Sequence, residues 1–221
     1  MRRPSSLLLA LAATALAVTA CAPANPAEPS ASPRPSETAT SASPTPTETT
    51  SAQIVVTLDG LTVTGAEDRS ADYTDSAALL ELLQEVTGQL PEPESVEIFP
   101  SEASPLEAYD WEGLRVLADS TGEAPASVSV TAAEVAGLPV VTEDGFRVGS
   151  TRAELRAADA WALTDAEDPE TASELGLGGR EVPDTESLTR PGSTGIVYTM
   201  FVLDGDTVTQ IMVPANDFSD L

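Results

Sequence analysis

The side chains that carry most acid–base, nucleophilic and metal chemistry are nearly missing from this sequence. It has no histidine and one cysteine, Cys21, and all of its ten basic residues are arginine. Without histidine neither a Ser-His-Asp nor a Cys-His arrangement can be built, and the usual zinc sites are lost as well. Without lysine there is no P-loop and no Schiff base. No Gly-x-Ser-x-Gly motif occurs, and Gly149-Ser150-Thr151 is better explained as the cap of a helix. What remains is carboxylate chemistry, since 36 Asp+Glu residues give a formal net charge of -26. Two carboxylates flanking a glycosidic bond would make an accessory cell-wall glycan hydrolase. However, acids spread through loops form a solvated surface, and only two Trp and three Tyr are present to stack on sugar. Asp165, Glu167, Asp168 and Glu170, together with Asp204 and Asp206, offer hard oxygen ligands for a calcium-dependent adhesion or sensing module. None of them follows the register of an EF-hand. No catalytic residue, metal or cofactor is therefore assigned.

The same charge restricts partners. A nucleic acid is excluded, because phosphate binding needs a basic face. Direct contact of the folded part with an anionic membrane surface is disfavoured. The one concentration of positive charge is Arg147, Arg152 and Arg156. Arg152 and Arg156 share a helix face at i, i+4, near a helix N-terminus that favours anions, so the three make a candidate site for a small anion or an acidic partner. Pairing with the neighbouring acids is the alternative.

Residues 1–20 divide as an export signal does: Arg2 and Arg3 are charged, Leu7 to Val18 are apolar, and Ala20 is the small residue before Cys21. The apolar run is shorter than the about 20 residues a spanning helix requires. Val18-Thr19-Ala20-Cys21 resembles the lipobox of bacterial lipoproteins. That resemblance implies cleavage between Ala20 and Cys21 and a thioether-linked diacylglyceryl group on Cys21. Two or three acyl chains, at about 0.8 kcal/mol per buried CH₂, make a stable anchor. Membrane lipid held through Cys21 is the expected partner, with the chain on the extracytoplasmic face of the cell membrane. From Cys21 to Ser51 the chain is almost wholly Pro, Ser, Thr, Ala and Glu, a composition that cannot build a core and predicts a disordered tether. At about 3.1 Å per residue in polyproline II it would reach up to roughly 90 Å.

Residues 52–221 must then supply the folded domain. Ile54 to Leu58, Asp59-Gly60 and Leu61 to Val63 predict a hairpin with a two-residue turn, pairing Leu58 with Leu61 and Val56 with Val63. Leu79, Leu82, Leu83 and Val86 predict a helix capped by Thr74 or Asp75 and stopped at Gly88. An acidic loop over 92–110 leads to one strand from Trp111 to Leu117 and another over 127–130. Thr131 to Glu134 predicts one helical turn. Leu138 to Thr142, Asp144-Gly145 and Phe146 to Val148 predict a second hairpin. Thr151 and Glu154 form a capping box that opens a helix reaching about Trp161. A second acidic loop over 164–193 precedes a final hairpin turning at Asp204-Gly205. Both Trp111 and Trp161 follow apolar patterns and are expected in the core. The class expected is α+β, antiparallel sheets with short packed helices. The recurring order hairpin, helix, acidic loop, strand suggests a diverged duplication with lobes of about 52–126 and 127–221.

Gly145 to Leu155 resembles the Gly-x-Thr-x-x-Glu-apolar signature of small envelope lipoproteins of the SmpA/OmlA kind and of the β-lactamase inhibitor protein, itself a tandem helix-and-sheet repeat. The whole layout resembles uncharacterised actinobacterial lipoproteins. These families imply non-enzymatic binding or scaffolding of an envelope protein or cell-wall component, and they carry over no catalytic residue.

Overall fold

The computed structural model describes residues 52–97, 104–164 and 168–218. The chain order is β1 (Gln53–Val56), β2 (Gly60–Thr64), β3 (Arg69–Asp72), α1 (Ser76–Thr87), β4 (Glu94–Ser95), β5 (Leu106–Trp111), β6 (Leu114–Asp119) and β7 (Ser127–Val130). It continues with β8 (Glu134–Val135), β9 (Leu138–Thr142), α2 (Arg152–Ala157), β10 (Trp161–Ala162), β11 (Glu174–Glu181), β12 (Ile196–Asp204) and β13 (Thr207–Asn216). The class is α+β as expected, rich in antiparallel strands with two short helices. One sheet has five strands in the order β3-β2-β1-β9-β8, and the other has eight in the order β10-β11-β12-β13-β7-β6-β5-β4. All pairings are antiparallel except β1 with β9. A single apolar cluster draws on both sheets and both helices, with Ile54, Leu79, Leu83, Val116, Leu155, Leu175, Phe201 and Ile211 fully buried.

The eight-stranded sheet consists of two four-strand meanders, β4–β7 and β10–β13, each following a helix and meeting at their last strands. The five-stranded sheet lacks that symmetry, since its parallel β1–β9 pair cannot arise from a two-fold axis normal to the sheet. The two expected lobes do not separate. Ser127–Val130, placed at the start of the second lobe, is the closing strand of the first meander, bonded to β6 on one side and β13 on the other.

Several turns differ from expectation for local reasons. The first hairpin pairs Val56 with Leu61 and Ile54 with Val63, and the Thr57 amide donates to Gly60 O, so the chain reverses at Leu58-Asp59, one residue earlier than expected, and Leu58 lies in the turn rather than opposite Leu61. The Thr57 hydroxyl accepts from the amides of Asp59 and Gly60 and holds that turn. Gly60 is required by close approach, because a Cβ there would lie 2.1 Å from the Ala71 carbonyl oxygen. Trp111 ends β5 and does not begin a strand, since Glu112-Gly113 is a hairpin turn with Gly113 at φ 92°. The expected helical turn near Glu134 is instead the strand β8, which turns at Ala136-Gly137 into β9. Phe146 to Val148 forms no strand. The Thr142 hydroxyl accepts the Phe146 amide, and the Phe146 ring packs edge-on against Phe201 at 5.8 Å.

Both helix starts match expectation. Asp75 caps α1 by accepting from the Ala78 amide, and Gly88 ends it in the left-handed region. Thr151 and Glu154 form the full capping box on α2. That helix stops at Ala157, short of Trp161, because Asp159 takes φ 63° and the Ala160 and Asp159 amides bond back to the Leu155 and Arg156 carbonyls. This is a Schellman ending with Asp in the place glycine usually holds. The expected acidic loop over 164–193 contains the strand β11, and the last hairpin turns at Gly205-Asp206, one residue later than expected.

Candidate functional site

The three arginines do not make a common anion site. Arg152 is buried, 6% exposed. Its Nη1 donates to the carbonyls of Pro169 and Ala172 at 2.9 and 2.8 Å, and its Nη2 donates to Gly205 O at 2.6 Å. Its Nε donates to Asp206 Oδ1 at 3.1 Å. Arg152 therefore ties the β12–β13 turn to the segment before β11. Arg156 turns instead to Glu170 and to the carbonyl of Ala160. Arg147 is exposed. The Glu154 carboxyl is held below its ordinary pKa by the Thr151 amide and hydroxyl, helped by the charge of Arg147. At six residues α2 is too short to offer an N-terminal anion site, and of its first-turn amides Glu154 N donates to the Thr151 hydroxyl and Arg152 N to Asp206 O.

The buried carboxylates are equally committed. Asp119 accepts from the Thr121 amide and hydroxyl and from the Ala124 amide, which holds its pKa low. Asp217, 7% exposed, accepts from the Ser187 hydroxyl, the Ile196 amide and the Thr189 hydroxyl. Desolvation pushes the Asp217 pKa up, but those bonds together with the charge of Arg190 outweigh it and leave the group more acidic than usual. A carboxylate held ionised in this way is a weak base, so Ser187 beside it is no activated nucleophile. Among the described residues no three acidic side chains group closely enough to hold a metal ion. Asp165 and Glu167 lie outside the described residues, Asp168 accepts from the Glu170 amide, and Asp206 is turned to Arg152.

The tryptophans separate. Trp111 is core, and its Nε1 donates to Thr87 Oγ1 and Gln89 O at 3.0 and 3.1 Å. Trp161 is half-buried and lies over Gly176 and Gly179, tilted against Tyr198 at 6.0 Å, which corrects its expected place in the core. Cys21, Ala20 and the tether lie outside the described residues. Among the described residues no helix is long and apolar enough to cross a membrane.

One site has no counterpart in the sequence reading. A cavity of about 170 Å³ lies between the two sheets, with walls from the β1–β2 turn, the end of β3, and β11, β12 and β13. Leu58, Pro125, Val197 and Pro214 give it an apolar lining. Asp59 and Arg180 bridge the two sheets at 2.8 Å, and both are more than half exposed, so they stand at its solvent edge. Tyr73 also forms part of the wall. Its amide donates to Asp59 O at 2.9 Å, and its carbonyl accepts from the Ala126 amide at 2.8 Å. The Tyr73 hydroxyl is buried and, alone among buried side-chain polar atoms of the described residues, has no hydrogen-bond partner. Burial, and then the Asp59 charge, push its pKa well up, so the phenol stays protonated. An unmade bond on such a group costs about 1–3 kcal/mol, and buried polar groups are otherwise nearly always satisfied.

The only signal for this site in the sequence was a tyrosine two residues before the helix cap Asp75, which reads equally well as a core aromatic. Compared with protein-family models, curated proteins and solved structures, the chain finds no match.

Proposed function

We propose that this chain is an exported lipoprotein, anchored through Cys21, whose α+β domain binds or scaffolds another component of the cell envelope without catalysing a reaction. One observation carries the non-catalytic part. The buried acids Asp119 and Asp217 are tied up by amides and hydroxyls that keep them ionised, while the one buried side-chain polar atom without a partner among the described residues is the hydroxyl of Tyr73, a neutral phenol. A glycosidase needs the reverse, a carboxyl with a raised pKa facing a second carboxylate. The anchor rests on the lipobox resemblance and the export-signal pattern.

The test has two arms. Mass spectrometry of the membrane-fraction protein should find a chain starting at Cys21 with a diacylglyceryl thioether, and Cys21→Ser should release the protein to the medium. Incubation with purified cell-wall glycan should release no reducing ends. An uncleaved signal, an unmodified Cys21 or glycan hydrolysis would overturn the proposal.

A further inference from the structure

We infer that the hollow on the outer face of the eight-stranded sheet, edged by Asp110, Arg115, Ser129, Thr131 and Gln210, binds a neutral sugar ring, the unit of an envelope glycan. The inference deepens the binding role proposed above and rests on it.

Strand alternation brings these side chains together. Trp111, Leu114, Val130 and Ile211 are neighbours in register across β5, β6, β7 and β13, and all four belong to the core cluster. The adjoining row, Asp110, Arg115, Ser129 and Met212, therefore points away from the core. Gln210 shares that face, since its Nε2 donates to Ser129 Oγ at 2.6 Å. The hollow has a volume of about 250 Å³, and Thr131, Trp111 and Leu114 complete its lining.

Its polar groups hold one another in place and keep spare capacity. Arg115 Nε and Nη2 donate to the two oxygens of Asp110 at 2.6 and 2.7 Å, and both side chains are about half exposed. Arg115 Nη1 and the second lone pairs of Asp110 remain for a ligand. So do Gln210 Oε1 as an acceptor, the Ser129 O–H as a donor, and the exposed Thr131 hydroxyl as both. An anion entering here would meet Asp110 and the charge of Glu94, in a chain of net charge -26. A cation would meet Arg115. A hydroxyl is donor and acceptor at once, so several on one ring engage this mixed set and strand no charge. A peptide has less to hold, because β7 is bonded to β6 and β13 and offers no free edge for an added strand. The volume lies a little below the roughly 300–1,000 Å³ of sites for drug-sized molecules, which fits about one ring with its substituents.

The test uses the full-length protein in a detergent without a sugar headgroup. N-acetylglucosamine is the probe, cyclohexanol its counterpart with one hydroxyl, and glucuronate its counterpart with a negative charge. Nitrogen-15 labelling reports the Gln210 side-chain amide and the Arg115 Nε–H, each assigned by its loss in Gln210→Ala or Arg115→Met. N-acetylglucosamine should move both signals saturably and bind at least about tenfold more tightly than either counterpart. By titration calorimetry Arg115→Met should weaken binding about tenfold and Gln210→Ala about threefold, the worth of a charged and a neutral hydrogen bond. Ser129→Leu, which puts an apolar side chain into the hollow without changing its charge, should abolish binding. Arg69→Met, at an exposed arginine on β3, should bind as wild type does.

Signals that N-acetylglucosamine leaves in place, equal affinity for cyclohexanol or glucuronate, or full binding by Ser129→Leu would overturn the inference and leave the hollow as solvated surface. Failure here, in a protein that carries lipid on Cys21 and leaves glycan intact, refutes this inference alone. An unmodified Cys21 or glycan hydrolysis refutes the reading beneath it.

Discussion

Replacing Arg152 by methionine separates a binding arginine from a structural one. Methionine keeps the apolar stem and removes every donor. The carbonyls of Pro169, Ala172 and Gly205 then lose the N–H groups now 2.6–2.9 Å away. A buried acceptor left unmade costs about 1–3 kcal/mol, and two of these three bonds are only partly buried, so their costs lie toward the lower end. The sum is about 3–5 kcal/mol, a large share of the about 5–15 kcal/mol that holds a typical domain folded. For a domain of this size the thermal midpoint should fall by about 10 °C. The ion pair contributes little to that figure, since the Asp206 side chain is 84% exposed. Asp206→Asn should therefore cost no more than about 1 kcal/mol. Arg152→Lys should fall between the two, because an ammonium is one point donor and cannot serve four acceptors spread around a planar fork. Differential scanning calorimetry of the three variants reads all of this, and phosphate added to wild type should leave its midpoint where it was. Arg152→Met melting within about 2 °C of wild type, or phosphate protecting wild type but not the variant, would refute the structural role and restore the anion site.

Two further outcomes follow from the turns and the acids. Gly113→Ala should cost about 2–4 kcal/mol, from positive φ and a Cβ placed 2.4 Å from that of Ala132. Gly88→Ala, at similar φ but facing open space, should cost about 1–2 kcal/mol, and urea unfolding of the pair checks the difference. Asp72, Asp110, Asp119, Glu154 and Asp217 are all more acidic folded than in a free chain. Their stabilisation is present above the ordinary carboxylate range and is lost as pH falls through their lowered folded values. Against that, protonating surface acids relieves the self-repulsion of a chain at -26. The thermal midpoint should therefore hold or rise slightly from pH 7 to about 5, then fall below about 4. A midpoint that climbed steadily to pH 3 would show those five carboxylates to be unpaired.

The elements most legible in the sequence were those fixed by neighbours in the chain. The cap at Asp75, the stop at Gly88 and the reciprocal bonds of Thr151 and Glu154 all close within four residues, and each stood where the residue types put it. The last hairpin was visible too, because the alternation of β12 and β13 is long. The strand β11 was hidden by its own glycines. Gly176 and Gly179 read as loop, yet they are bare because the Trp161 indole lies on them; a Cβ on Gly176 would sit 2.7 Å from the ring. Glu112-Gly113 was hidden in the same way, as a turn inside what read as one apolar run. Gly60 misled in the opposite sense. Beside Asp59 it looked like turn chemistry, but it is there to let β3 come close.

The same distinction explains why the arginines were singled out and the cavity was not. Charge at i, i+4 spacing is visible along one helix, whereas what decides the role of Arg152 is a set of carbonyls at Pro169, Ala172 and Gly205, brought to it by strands from far along the chain. An arginine buried by main-chain acceptors and one poised for a ligand are the same letters in the same places. Tyr73 is the complementary case. Its letter in the sequence says only that an aromatic precedes a helix, and that its hydroxyl is buried without a partner is known only from the packed chain. Whether a buried hydroxyl or guanidinium finds its partners is a property of the packing, and no spacing rule along the chain reveals it.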